Sequence, residues 1–163
     1  HGSSDSNRRA SVARRADAPV RAVSEIEVDV TPTAVFEVLT DATHYPRWLG
    51  GARRVVVDDP AWPSPGSEFH HEVGVGPVDV HDATSVADIE PGRRLDLVVR
   101  ARPFLVADVR LEVEPLADGA RIRMIERPRG RFRLLAPLIT PVVKLRNDHS
   151  LRQLAELLAT GSR

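Results

Sequence analysis

Apolar and charged positions alternate near the start of the chain, which is the pattern of a strand with one buried face. Between residues 20 and 30 the apolar members are Ile26, Val28 and Val30, and the acidic members are Glu25, Glu27 and Asp29. The two sets point to opposite sides of an extended backbone, because side chains alternate along a strand. The segment is therefore predicted to be a half-buried strand.

Two short helices are predicted after this strand. Thr31 is an N-cap residue and Pro32 suits the first helical position, so a helix is expected to run to Thr40. Its buried side chains would be those of Val35, Phe36 and Leu39. Asp41 can cap a second short helix that ends near Trp48, where a pair of glycines stops it.

Six apolar runs then follow with turn residues between them and no helical pattern. They are Val55–Val57, Phe69–Val75, Val78–Ile89, Leu95–Ala101, Val106–Leu116 and Ala120–Arg127. Short connections between successive runs are typical of an antiparallel meander. The pattern predicts an α+β fold with about seven strands in one curved sheet.

The apolar period becomes helical from Leu134 to Ala159. One stripe, expected to face the sheet, contains Leu135, Leu138, Ile139, Val142 and Leu145. Pro141 lies early in this segment, so either the helix begins with Thr140 as its cap or it is kinked at the proline. Gly161 is expected to end the helix.

Turn chemistry predicts the register of two hairpins. A two-residue turn at Asp118-Gly119 pairs Val113 with Met124, Leu111 with Glu126 and Glu114 with Arg123. A turn at Val75-Gly76 pairs Val73 with Val78 and His71 with Val80, and makes Asp82 a diagonal neighbour of His71. A turn at Pro91-Gly92 pairs Val86 with Leu97.

Three polar residues fall on the inward face of this predicted sheet, namely His71, Asp82 and Glu126. Buried charge is costly unless it is paired. Arg146 and His149 lie on the side of the final helix that is expected to face the sheet, and they are natural partners. The set is either a structural network or the polar part of a ligand cavity.

Composition narrows the class of protein. The chain has 163 residues, enough for one domain, with 42% hydrophobic and only 4% aromatic residues. Its net charge is zero and Lys144 is the single lysine, a skew toward arginine that suits a GC-rich bacterial genome. A balanced chain has no overall field to attract nucleic acid, and no segment suits stable membrane insertion. The absence of cysteine excludes disulfides and thiolate metal sites but indicates no redox compartment. Since no signal-like segment and no spanning segment is present, a cytoplasmic location is expected.

Two regions are predicted along the chain. Residues 1–18 are polar and Arg-rich, begin with what resembles a tag remnant, and are expected to form a flexible tail. Residues 19–161 are expected to form the ligand-binding domain.

The order of elements and several local motifs resemble the START-like (SRPBCC) superfamily, and within it the polyketide cyclase/dehydrase and lipid-transport group. The likeness rests on VSEIEVDVTPTAVFEVLTD at 23–41, HYPRWL at 44–49, IEPGRRL at 89–95 and LAPLITPVV at 135–143. It implies a helix-grip fold, in which the sheet wraps the C-terminal helix around a mostly apolar cavity. It also implies that Trp48, at the end of the second short helix, lies near that cavity. Enzymatic members place tyrosines, arginines or acids inside it.

The resemblance and the predicted faces together give a set of expected ligand-binding residues. They are Trp48, Phe69, His71, Val80, Asp82, Leu97, Val99, Leu111, Val113, Met124, Glu126, Leu138, Val142 and Arg146. His71 and Glu126 are the catalytic candidates if a reaction takes place. No metal site or cofactor is expected, because the adjacent His70 and His71 point to opposite faces of a strand.

Three functions remain open from the sequence. The first is binding or transport of a hydrophobic small molecule such as a lipid, quinone or polyketide. The second is a cofactor-free cyclase, aromatase or dehydratase that uses His71 or Glu126 as acid or base. The third is a quinone-binding or ribosome-associated accessory role. Trp62, in a proline-rich loop, would be either a lid over the cavity or a ring packed on its own loop.

Overall fold

The computed structural model describes residues 20–50, 52–57, 59–75, 78–101 and 105–161. At residues 52–53, 72–75, 78–82, 101, 105 and 131–132 it describes the backbone and not the side chain. The predicted tail at 1–18 lies outside these residues.

The described residues form seven strands and three α-helices. The strands are β1 (Ala22–Val28), β2 (Ala52–Val56), β3 (Glu68–Val75), β4 (Val78–Glu90), β5 (Arg94–Ala101), β6 (Leu105–Leu116) and β7 (Gly119–Pro128). The helices are α1 (Pro32–Thr40), α2 (Tyr45–Trp48) and α3 (Ala136–Gly161), with 3₁₀ turns at Ala42–His44 and Gly130–Leu134. The predicted α+β class and antiparallel meander are confirmed.

The strands form one antiparallel sheet in the order β1-β7-β6-β5-β4-β3-β2. Only β1 is out of sequence, since it lies beside β7 while the other strands follow one another. The N-terminal strand therefore closes the edge of the sheet over which α3 lies. Two contacts hold the middle of α3 there: Ser24 Oγ donates to the Lys144 carbonyl oxygen at 3.4 Å, and the Gly50 N–H donates to Ser150 Oγ at 3.1 Å.

The predicted helix caps are confirmed. Thr31 Oγ1 accepts from the Ala34 N–H at 3.3 Å, and Pro32 is the first residue of α1. Asp41 Oδ1 accepts from the Thr43 N–H at 3.0 Å and so caps the 3₁₀ turn before α2. These local hydrogen bonds satisfy backbone donors that have no partner inside the helix.

The predicted register is wrong by two residues in two hairpins. The β6–β7 loop is Ala117-Asp118, so Leu116 pairs with Gly119; other pairs are Leu111 with Met124, Val113 with Ile122, and Val109 with Glu126. The β3–β4 strands likewise pair Val75 with Val78, Val73 with Val80, and His71 with Asp82. A shift of two keeps every side chain on its predicted face, because the side-chain period of a strand is two.

The reason for the first shift lies at Gly119, whose φ is +145°. A side chain there would collide with the carbonyl oxygen of Val28 on β1. The glycine is therefore required by the close approach of β1 as well as by its backbone conformation. By contrast, the predicted pairing of Val86 with Leu97 is confirmed, with an irregularity just after it that accommodates the longer β4–β5 turn.

Alternating arginines and acids cover the outer face of the sheet. The predicted pair of Glu114 with Arg123 is wrong: Arg121 bridges Glu27 and Glu114, at 2.8 and 3.1 Å. Arg123 lies between Glu25 and Glu112 instead. This face is therefore solvated and charged, and the apolar core lies on the other face.

Candidate functional site

The inner face of the sheet is predominantly aliphatic. Its buried members on β4 to β7 are Val86, Leu95, Leu97, Val109, Leu111, Val113, Ile122 and Met124. The sequence prediction placed most of these correctly, and Val99 is also on this face but half-buried. Helices α1 and α2 and the C-terminal half of α3 pack against one end of the face through Leu39, Trp48, Leu151 and Leu154.

An aromatic cluster lies beside this core. It contains both tryptophans and the only tyrosine of the chain. The Tyr45 ring lies 5.1 Å from those of Trp48 and Phe69, and Phe69 lies 4.8 Å from Trp62. His71 continues the row, 5.7 Å from Phe69. The second helix and strand β3 are thus joined by ring contacts.

Tyr45 is a structural member of this cluster. Its hydroxyl donates to the Leu39 carbonyl oxygen at 2.8 Å and is buried. Burial raises the pKa of Tyr45, and the negative charge of Asp41 raises it further. The phenol is therefore held in its neutral, donating form.

The two tryptophans differ in how their N–H groups are satisfied. Trp62 Nε1 donates to the Thr40 carbonyl oxygen at 2.6 Å, so this ring is anchored to the end of α1 and packs on Phe69. Trp62 does not pack only on its own loop, as one sequence alternative had it. Trp48 is 1% exposed, and among the described residues its Nε1 has no acceptor.

Glu126 is the centre of a buried polar network. It is 4% exposed, and its Oε2 accepts from Arg146 Nη2 at 2.6 Å and from Asn147 Nδ2 at 3.0 Å. Asn147 is fully buried, and its Oδ1 accepts in turn from Arg146 Nη2 at 3.1 Å. The predicted partnership of Glu126 with Arg146 is confirmed. Asn147 was missed, although its place next to Arg146 on the helix could have indicated it.

Other predicted partners from α3 do not reach the interior. His149 is exposed, so its expected contact with the sheet is wrong. Leu138 and Val142 are also exposed, and the prediction that they line the inner face is wrong. The buried face of α3 consists of Ala136, Asn147, Ser150, Leu151, Leu154 and Leu158. This face lies on the opposite side of the helix from Leu138 and Val142, since residues advance by about 100° each.

His71 and Asp82 are brought together by the β3–β4 register, which pairs them directly. His71 is buried, at 6% exposed. The side chains of Asp82 and Val80, both expected in the site, lie outside the described residues. The side chains of Phe69, His71, Leu97, Leu111, Val113, Met124 and Glu126 all lie on the inner face as expected.

The described side chains leave a narrow crevice between α3 and the edge of the sheet. Its lining comes from Ala22, Glu126, Pro128, Ile139, Thr140 and Val143, and its volume is about 10 Å³. That volume suffices for roughly one water molecule. A larger guest at this point requires the first turns of α3 to move outward.

In the part of the chain that the structure describes, no three histidine, aspartate or glutamate side chains are grouped to hold a metal ion. None of the helices in the described ranges combines the length and hydropathy needed to cross a bilayer.

Comparison with known structures gives the same architecture at low identity. A START superfamily protein from Mycobacterium smegmatis matches with a TM-score of 0.71 and 12% identity, over 86% of this chain and 97% of the other. A protein from Nitrosomonas europaea matches with a TM-score of 0.72 and 19% identity, over 89% and 97% of the two chains. These matches identify the helix-grip fold that the sequence motifs implied.

A third structure is the di-domain ARO/CYC StfQ from the steffimycin biosynthetic pathway, with a TM-score of 0.70 and 13% identity. The match covers 93% of this chain and 54% of that protein. The comparison with curated proteins returns no match. The family model for polyketide cyclase/dehydrase and lipid transport matches residues 19–159, and the chain therefore belongs to this family of START-like proteins.

Proposed function

We propose that this domain binds a hydrophobic small molecule between the inner face of its sheet and helix α3. The inner face offers aliphatic side chains over four adjacent strands, β4 to β7, a surface that suits a lipid, quinone or polyketide skeleton. The family description names both polyketide conversion and lipid transport. Apolar burial contributes about 25 cal/mol per Å², before the costs of association.

The observation that carries the proposal is the buried N–H of Trp48, which has no acceptor among the residues that the structure describes. A buried donor without an acceptor costs about 1–3 kcal/mol, and native proteins rarely retain one without a reason. A guest with a carbonyl, hydroxyl or ether oxygen would supply the missing acceptor. The expected ligand is therefore an apolar molecule with at least one oxygen near one end.

Room for such a ligand comes from α3. The first turns of this helix contribute one buried residue, Ala136, whereas the second half contributes Leu151, Leu154 and Leu158. The first turns are thus the more weakly held part, and their outward movement would enlarge the crevice beside Glu126. The polar network of Glu126, Arg146 and Asn147 would then form one polar boundary of the site.

The test compares the two tryptophans. An apolar fluorescent probe is titrated into the wild type and displaced by fatty acids, sterols and aromatic polyketides. Trp48→Phe removes this donor and should weaken oxygen-bearing ligands about fivefold to tenfold. The cavity left by the smaller ring lowers stability while the loss of the buried donor raises it, so the net change in stability should be small. Trp62→Phe is the matched control: it loses a satisfied hydrogen bond, so stability should fall while affinity stays the same.

Absence of saturable probe binding in the wild type would refute the proposal. Equal affinities of Trp48→Phe and wild type for every oxygen-bearing ligand would refute the role of the Trp48 N–H. Because the chain has two tryptophans, each variant leaves a single tryptophan to report ligand binding.

Direct pairing of His71 with Asp82 in the β3–β4 register favours a second candidate, a cofactor-free cyclase or dehydratase. A histidine beside a carboxylate can accept and return a proton. The two functions are separated by incubating the protein with a hydroxy-ketone or poly-keto compound, followed by organic extraction and mass spectrometry. Recovery of the unchanged compound supports binding. Conversion of the compound that is lost in His71→Gln supports the enzyme.

A further inference from the structure

Helix α3 carries an apolar stripe on its solvent side. The stripe consists of Leu135, Leu138, Val142 and Leu145, of which Leu138 is 80% and Val142 is 70% exposed. At about 100° per residue these four side chains fall within one narrow sector, opposite the face that packs on the protein. Leu134, in the preceding 3₁₀ turn, is 85% exposed and extends the patch. Five neighbouring exposed apolar side chains are unusual for a monomeric surface.

The sequence segment that carries this outer stripe is basic. Residues 129–146 contain four arginines and Lys144 but no acidic residue, although the whole chain is neutral. Arg133 is exposed, and within the described residues no acid pairs with it. Arg129, Lys144 and Arg146 are paired with Asp108, Asp148 and Glu126, which all lie outside this segment.

From this combination we infer that the outer stripe docks the protein on an anionic lipid bilayer. Leucine and valine side chains would enter the boundary between headgroups and acyl chains while Arg133 contacts a lipid phosphate. The stripe from Leu135 to Leu145 is about 15 Å long, so α3 would lie parallel to the membrane plane.

The positive charge beside the stripe favours an anionic bilayer over a second copy of the chain as its partner. In a two-fold dimer the same patch meets itself, so Arg133 of one protomer would face the basic segment of the other. The nearby acids Asp108, Asp148 and Glu126 are already engaged by Arg129, Lys144 and Arg146, so among the described residues none of these acids neutralises Arg133. An anionic bilayer supplies the opposite charge and the apolar phase together.

The experiment is flotation of the 163-residue chain with lipid vesicles. We expect binding to vesicles of equal parts phosphatidylcholine and phosphatidylserine, weaker binding to phosphatidylcholine alone, and weakening by salt. The double variant Leu138→Gln/Val142→Gln should bind at least about tenfold more weakly. Val56→Gln, at another exposed apolar position, is the control and should bind as the wild type does.

A second variant tests the electrostatic part. Arg133→Gln should weaken binding to the anionic vesicles about fivefold and leave binding to phosphatidylcholine unchanged. The substituted side chains are exposed, so thermal unfolding is expected to match the wild type. Docking does not require a ligand in the interior, and the probe titrations above test that function separately.

Failure of the wild type to float with anionic vesicles would overturn the inference, as would equal binding of the double variant. Sedimentation on the same samples identifies the competing occupant. A concentration-dependent dimer that Leu138→Gln/Val142→Gln dissociates would show that the stripe meets a second copy instead.

Discussion

The Glu126 network offers the sharpest test of what holds α3 on the sheet. Glu126→Gln keeps the shape of the side chain and removes its charge. The side chain of Glu126 is 5% exposed and its partner Arg146 is 44% exposed. The substitution therefore leaves a cation that water can partly solvate, and not one sealed in the core.

The expected loss follows from the two hydrogen bonds. Hydrogen bonds to charged groups contribute about 1.5–3 kcal/mol each, and neutral ones about 1. The glutamine oxygen can still accept a hydrogen bond from Asn147, so most of the lost stability comes from the weakened hydrogen bond with Arg146. Since Arg146 is half-exposed, the loss should stay below the 3–5 kcal/mol typical of a broken buried pair. We expect Glu126→Gln to lower the free energy of unfolding by about 1.5–3 kcal/mol.

Urea unfolding followed by tryptophan fluorescence measures this value for Glu126→Gln, Arg146→Gln and the double variant. Because the two residues share one network, the coupling energy should be about 1 kcal/mol or more. The exposed pair of Glu114 and Arg121, 3.1 Å apart, is the matched control. The corresponding glutamine variants there should show coupling of about 0.2–1 kcal/mol.

A loss for Glu126→Gln no larger than for Glu114→Gln, with no coupling to Arg146, would refute the structural reading of the network. If Glu126→Gln then also bound the apolar probe more weakly, the role of Glu126 would be to contact the ligand and not to hold α3 on the sheet.

Two further predictions concern the stability of variants at the buried Tyr45 and at Gly119. Tyr45→Phe should flatten the fall in stability above about pH 10, the usual tyrosine pKa. The fold raises the pKa of Tyr45, so the stability it contributes is complete below that pH and is lost as the pH rises. Tyrosinate absorbance in the wild type reports this residue alone, and titration of the folded protein with the usual tyrosine pKa would contradict the prediction. Gly119→Ala should cost about 2–4 kcal/mol in thermal unfolding, because its Cβ would meet the Val28 carbonyl. Gly92→Ala, with φ of +77° but open space around it, should cost only about 1–2 kcal/mol, and equal costs would disprove the clash.

The sequence by itself determined the elements and the faces of the strands. Thr31 and Pro32 predicted the start of α1 correctly, and Asp41 the cap before α2, because a cap is a contact between near neighbours in the chain. The inward positions of Leu97 and Glu126 followed from alternation, which survives any register error of two residues.

Tertiary contacts decided the pairing of those strands. Gly119 was interpreted as a turn residue, yet the carbonyl of Val28, far away in sequence, is what excludes a side chain there. A glycine required by a close approach and a glycine required by a turn look the same in one sequence. The partners of Glu114 and Arg123 were consequently wrong.

The rotation of α3 was also decided by tertiary structure. Its N-terminal half presents the apolar stripe with Leu138, and its C-terminal half presents Leu151 and Leu154 in a different phase. The apolar period identifies both faces of the helix but does not show which of them is buried. The choice depends on where β1 and the end of α2 hold the helix, through Ser24 and Ser150, and those contacts bury the second face and leave the first in solvent.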